Sequence, residues 1–199
     1  MSDRLILASG SEIRASLLRQ ARLDFDVVPA KVDEDAIRDA LIAEDAKPRD
    51  IADALAEMKA RKIGMKHPDA MVIGCDQVLD FQGKLLSKPE SKADAVQQLT
   101  AMQGHRHSLF SAAVICKNGT PVWRHVGQVR LMMRALSDPF ITDYVERNWD
   151  SIRHAVGAYK LEEEGVRLFS LVDGDHFNVL GLPFIELLNF LAVRGVIKT

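Results

Sequence analysis

Short apolar runs alternate along this chain with segments whose apolar residues recur every three or four positions, which predicts strands alternating with helices. Residues 5–8 form the first run and read as a short buried strand. Ser11 is placed to cap the helix that follows, whose apolar positions include Ile13, Leu17 and Leu18. Residues 25–28 are a second strand, stopped by Pro29. Residues 33–43 are helical and acidic; residues 49–65 form a longer helix with Ile51, Leu55, Met58 and Lys62 near one side. Residues 71–75, "MVIGC", are another buried strand, and Gly83 turns the chain. Residues 92–102 read as an amphipathic helix with Ala95, Val96, Leu99 and Met102 inward. Two strands follow at 107–117 and 122–134, joined by Asn118-Gly119, a strong hairpin signal. Residues 138–148 are helical, 168–172 and 177–181 extended, and Pro183 opens a last helix that Gly195 ends. The alternation predicts an α/β fold with a mixed sheet, with no linker dividing the 199 residues, so 1–199 is expected to be a single domain.

Composition narrows the classes. At 47% hydrophobic residues the chain can bury a sizeable core. A formal net charge of -2 supplies no general field for nucleic acid or membrane. No apolar run approaches a membrane span, and the first residues lack a leader pattern. Cys75 and Cys116 are the only cysteines and do not form a metal-type pair, which predicts a reduced, cytoplasmic protein.

Several stretches can carry chemistry. "LASGSEIR" places small residues and a helix start after a strand, and the free N–H groups there suit phosphate. Ser9 and Ser11 can add hydroxyl donors and Arg14 a forked guanidinium; a capped helix with a solvated arginine explains the same residues. Asp33-Glu34-Asp35 can hold a hard cation or simply favour a helix dipole. Asp76 follows the buried "VIGC" run, where an α/β protein places a base or metal ligand, or a turn aspartate. Lys88 is held extended by Pro89 and can act as a phosphate-directed charge or lie on the surface. His105 and His107 would share a strand face but lack a third ligand nearby, so a structural role is the better reading. Glu162–Glu164 can reach a metal or a base edge, or form a solvated acidic turn.

Taken in order, these motifs resemble the Maf family of nucleoside triphosphate pyrophosphatases. The family's "LASxSxxR" opening is matched by Leu7 to Arg14, its Asp-Glu pair by Asp33-Glu34, and its "LAxxKA" helix by Leu55 to Ala60. A strand ending in Asp is matched by Asp76, a Lys-Pro pair by Lys88-Pro89, and a Gly-x-x-His step by Gly104 and His107. The closing pattern is matched by Gly157-Ala158-Tyr159 and by Gly174 to Pro183.

The resemblance implies a Maf/ITPase-like, elongated mixed sheet with flanking helices, in two lobes around a central cleft. It implies hydrolysis of a nucleoside triphosphate to the monophosphate and pyrophosphate with Mg²⁺ or Mn²⁺. Asp76 is then the proton acceptor, Glu34 and Asp76 the metal ligands, and Ser9, Ser11, Arg14, Lys59 and Lys88 the phosphate contacts, with Gln77 and Glu162 also on the substrate. No nucleic-acid or membrane partner is implied, and a homodimer is compatible with the family. The chain departs from the pattern at Glu12-Ile13, where Pro-Arg is usual, and at Gln77, where threonine is common. Glu162 stands where the pyrimidine-preferring branch has glutamine; the branch that prefers 7-methyl-GTP often has glutamate there. A second reading follows from Glu12-Ile13: a nucleotide-binding protein with weak or no catalysis, linked to cell division control.

Overall fold

The computed structural model describes residues 4–198. Residues 1–3, on which the expectation of no leader partly rests, lie outside the described residues, as does residue 199. The strands are β1 (Arg4–Leu7), β2 (Asp26–Val27), β3 (Ala70–Phe81), β4 (Lys84–Leu86), β5 (Arg106–Lys117), β6 (Thr120–Met133) and β7 (Phe169–Asp173). The helices are α1 (Glu12–Gln20), α2 (Glu34–Ala43), α3 (Pro48–Gly64), α4 (Lys92–Met102), α5 (Asp138–Ile152), α6 (His176–Val179) and α7 (Phe184–Val193). The strands form one mixed sheet in the order β2-β1-β3-β5-β6-β7, with β4 paired to β3. β1 runs parallel to both β2 and β3, while β3–β4 and β6–β7 are antiparallel. The expected mixed α/β sheet flanked by helices is therefore the observed one.

The chain divides into two compact units. The first holds the chain as far as Gln77, Ser111–Gly127, and everything from Gly181 on; the second holds Val78–Phe110 and Gln128–Leu180. In the first unit, Ile6, Ala8, Ile63, Ala70 and Val72 close a core under Val28 and Ala30. In the second, α4 packs on α5, and Leu99, Met102, Ile141 and Tyr144 are fully buried. Each such side chain contributes about 1.5–3 kcal/mol relative to exposure.

Three expectations change on inspection of the elements. β3 does not stop at Cys75 but continues through Asp76 and Gln77 to Phe81, where Gln82-Gly83 turns it into β4 with Leu79 opposite Leu86. Polar residues at 76, 77 and 80 disguise the strand, and a partner for the buried acid is what admits it. Residues 177–181 are not extended: Asp175 accepts a hydrogen bond from the Phe177 N–H at 3.0 Å and starts the single-turn α6. On α3 the buried stripe is Ile51, Ala52, Leu55, Ala56, Lys59, Ala60 and Ile63, while Met58 is exposed and Lys62 half-buried. The helix faces the sheet through its alanines, which turns Met58 and Lys62 away from the contact.

In the second unit, His107 is buried against the rings of Tyr159 and Phe169, and its Nε2 shares a 2.8 Å hydrogen bond with the Tyr159 hydroxyl. His105 precedes β5, is exposed, and donates from Nδ1 to the Gln103 carbonyl at 2.7 Å. The pair therefore packs and caps, and among the described residues no cluster of three metal-ligating side chains occurs. Burial pushes the His107 imidazolium down to about 4 from 6.5. The unfolded chain then takes up the proton first on acidification. Stability is complete above pH 6.5 and is lost as pH falls from 6.5 toward 4, by about 3 kcal/mol at the limit. His107→Gln keeps a polar partner for Tyr159 without titrating; urea midpoints at pH 7 and pH 4.5 should differ less in this variant than in the wild type.

Candidate functional site

α3 opens with Pro48 in its first turn, carries Asp50 at its positive end and closes on Arg61 and Lys62 at its negative end. Its stripe of small residues meets β3 at Gly74. A Cβ on Gly74 would stand 2.1 Å from the Ala56 carbonyl oxygen and 2.6 Å from the Ala60 nitrogen, so only glycine permits this approach of helix to strand. Gly74 and Asp76 share a face of β3, because alternate residues do. Lys59, one position before Ala60, therefore projects onto the Asp76 carboxylate.

The resulting contact is buried and ionic. Lys59 Nζ donates to Asp76 Oδ1 at 2.7 Å and pairs with Glu34 Oε1 at 2.9 Å. Asp76 is 5% and Lys59 6% exposed, while Glu34 is half-buried. Burial pushes the Asp76 carboxyl above the usual carboxylate range; Lys59 opposes this most, by charge and hydrogen bond, followed by Arg14, and Glu34 adds to the rise. Glu34 arrives on the first turn of α2, which packs on α3. Its neighbours are used locally: Asp33 caps α2 by accepting from the Ala36 N–H at 3.1 Å, and Asp35 pairs with Arg38. Of the acidic triplet, Glu34 alone joins the site.

The amino-terminal segment lies beside this pair. Ser9 is buried after β1, and its hydroxyl accepts from the Ser11 N–H at 3.3 Å and from Arg14 Nη1 at 3.2 Å. Ser11 occupies the cap position of α1 as expected, but its side chain makes no capping hydrogen bond, and its backbone N–H donates to the Ser9 hydroxyl. Arg14 also donates to the Cys75 carbonyl at 3.3 Å and to the Gly181 carbonyl at 2.8 Å. Glu12 forms an ion pair with Arg19 at 2.5 Å, seven residues along the same helix. Gln77 Nε2 donates to the fully buried Ser111 hydroxyl at 2.9 Å. The Cys75 thiol is fully buried and pushed up to about 11, which removes it as a nucleophile.

Ser9, Ser11, Arg14, Glu34, Lys59, Asp76 and Gln77 all belong to the first unit, whereas Lys88 and Glu162 are exposed residues of the second. Lys88 lies in the irregular segment between β4 and α4; Glu162 lies in a turn whose next two acids are bonded to Lys160 and Ser151, and to Arg147 and Asn148. Two residues of the site were not singled out from the sequence. Ser111 gave no signal, being one polar position in an apolar strand. Gly74 did give one: a glycine inside an apolar strand marks a close backbone approach.

The family described as Maf-like protein matches residues 4–194. The chain belongs to the Maf family. It is 70% identical over 199 residues to the nucleoside triphosphate pyrophosphatase of Ruegeria pomeroyi, covering all of both chains. It is 46% identical to that of Caulobacter vibrioides, covering 96% of each. It is also 41% identical to the 7-methyl-GTP pyrophosphatase of Rhizobium etli, covering 99% of each. Among the described residues of this Maf-like chain no helix is long and apolar enough to cross a membrane.

Two consequences of the geometry can be measured. Lys59→Met strands a buried carboxylate and should destabilise the protein by about 3–5 kcal/mol, whereas Lys59→Met with Asp76→Leu should recover most of it in urea unfolding. Gly74→Ala should cost at least about 1–3 kcal/mol as overpacking, because backbone rather than a flexible side-chain end meets the new methyl.

Proposed function

We propose that this Maf-like protein is a nucleoside triphosphate pyrophosphatase with Asp76 as its proton acceptor. The observation that carries the reading is a carboxylate buried within a sheet yet held beside an ammonium. Burial raises its basicity, while the Lys59 charge and hydrogen bond favour its ionised form; a general base draws on both. The names of the relatives supply the substrate class. The water oxygen attacks the α-phosphorus, the bond from that phosphorus to the bridging oxygen breaks, and pyrophosphate leaves. Asp76 orients the water and accepts its proton. The first turn of α1 offers backbone N–H groups to the phosphates, and Lys59 and Arg14 add positive charge.

The donor set fits a hard divalent cation. Glu34 and Asp76 converge on one cationic point, the Lys59 ammonium, and carboxylate oxygens supplemented by substrate phosphates are how Mg²⁺ is usually held. Glu34 and Asp76 would hold Mg²⁺ or Mn²⁺, which would lower the pKa of a bound water and neutralise phosphate charge. The reading of a weak, non-catalytic binder loses part of its motive, because the Glu12 carboxylate pairs with Arg19, while Ile13 still supplies no guanidinium. Gln77 is held by Ser111, and its amide is offered as the group beside Asp76 that contacts substrate.

The test is pyrophosphate release from ordinary triphosphates and 7-methyl-GTP with Mg²⁺ or Mn²⁺. Asp76→Asn should retain its fold by circular dichroism and lose on the order of a hundredfold or more in turnover. Unchanged turnover in the folded variant removes Asp76 from this role.

A further inference from the structure

One guanidinium joins three chain segments of the first unit. Arg14 binds Ser9, Cys75 and Gly181, which stand 5, 61 and 167 residues away in sequence. The hydrogen bonds are distributed unevenly for a phosphate ligand. A guanidinium offers two bidentate edges, Nε with Nη2 and Nη1 with Nη2. Here Nε is taken by the Gly181 carbonyl, and Nη1 meets two acceptors, matching its two hydrogens. Each edge has lost one prong to the protein.

The Gly181 side of the contact is shaped for it. Gly181 has φ +88°, and a Cβ there would stand 2.9 Å from Arg14 Nη2 and 3.1 Å from Nε. The backbone of the turn before α7 thus lies directly against the guanidinium. The Cys75 carbonyl belongs to the planar peptide unit that ends at the Asp76 Cα. Holding that oxygen fixes the plane from which the Asp76 side chain departs. Lys59 then holds the carboxylate from α3, and Arg14 holds the backbone behind it from α1.

We propose that Arg14 is a positioning residue: clasped by Gly181, it orients the Cys75–Asp76 peptide so that the Asp76 carboxylate faces the attacking water, and this, rather than phosphate binding, is its main contribution. The proposal rests on Asp76 being the base of the reaction above. It separates from a phosphate-ligand role because it links Arg14 to Gly181, a residue with no side chain to offer a substrate.

The experiment compares wild type, Arg14→Lys, Arg14→Gln, Gly181→Ala and the Arg14→Gln/Gly181→Ala double variant. For each, kcat and KM for pyrophosphate release are measured, with equilibrium binding of inorganic pyrophosphate and a thermal melt. Positioning predicts that Arg14→Gln and Arg14→Lys lower kcat alike, by about tenfold or more, since one ammonium cannot span three acceptors. KM and pyrophosphate binding should stay within about threefold. Gly181→Ala should reproduce the loss in kcat, and the double variant should fall little below the worse single one. The proposal is overturned if Arg14→Gln raises KM and weakens pyrophosphate binding about tenfold at constant kcat while Arg14→Lys restores both. If Gly181→Ala does not fold, the Lys-against-Gln comparison still decides. If the wild type releases pyrophosphate from no triphosphate, the functional reading fails on its own, and the melts test the clasp: non-additive shifts support it, and additive shifts overturn it.

Discussion

The site depends on one steric fact: the strand β3 carries no side chain where α3 crosses it. With a hydrogen at Gly74, the Ala56 carbonyl and the Ala60 nitrogen come close enough to exclude even a methyl group. That spacing places Lys59 against Asp76. It also fixes α2, which packs on α3, so that Glu34 reaches the same ammonium. Ala56 and Ala60 are the helix's part of the arrangement; larger residues there would lift the helix from the sheet. Van der Waals contact between two backbones thus sets the length of an ion pair, and the ion pair opposes the rise that burial gives the Asp76 carboxyl.

Energetically the arrangement is a poor route to stability. Removing a carboxylate and an ammonium from water costs several kcal/mol each, and their attraction returns this only with good geometry. Apolar residues of similar size would serve a core better. A buried pair kept beside a row of serines and an arginine is better explained by the chemistry it permits. By contrast, the exposed bridges on the same chain, such as Arg4 to Asp26 or Lys92 to Glu146, are screened by solvent and are worth a few tenths of a kcal/mol to about 1.

Much of the architecture was legible in apolar periodicity. α4 and the β5–β6 hairpin fall within a residue or two of their expected places, because the apolar periodicity of residues 92–102 and the Asn118-Gly119 turn are strong local signals. β3 was cut short and α6 misread for one reason: tertiary partners decide them. Asp76 can continue a buried strand only because Lys59, seventeen residues earlier, neutralises it. The spacing of α3 held the same information. A lysine at position 59 interrupts an otherwise apolar stripe of 51, 52, 55, 56, 60 and 63, and a charge in such a stripe needs a buried opposite. The family motifs named Glu34, Lys59 and Asp76 together, and their contact is seen in the fold. That Arg14 would spend its donors on backbone carbonyls was not legible, since a carbonyl has no sequence identity.

The same distinction explains how the charges are divided. Around Asp76 the formal charges of Asp76, Glu34, Lys59 and Arg14 cancel, so the site presents no surplus of positive charge to a polyanion. On the proposed function, N–H dipoles at the α1 start and cations brought with the substrate then contribute to holding a triphosphate. The buried Lys59 ammonium lies at the carboxylate, and the half-buried Arg14 guanidinium lies at the Cys75 carbonyl behind it. The positive residues nearest Asp76 are therefore tied to protein oxygens, so that each cation serves the placement of the acid before it can serve any ligand.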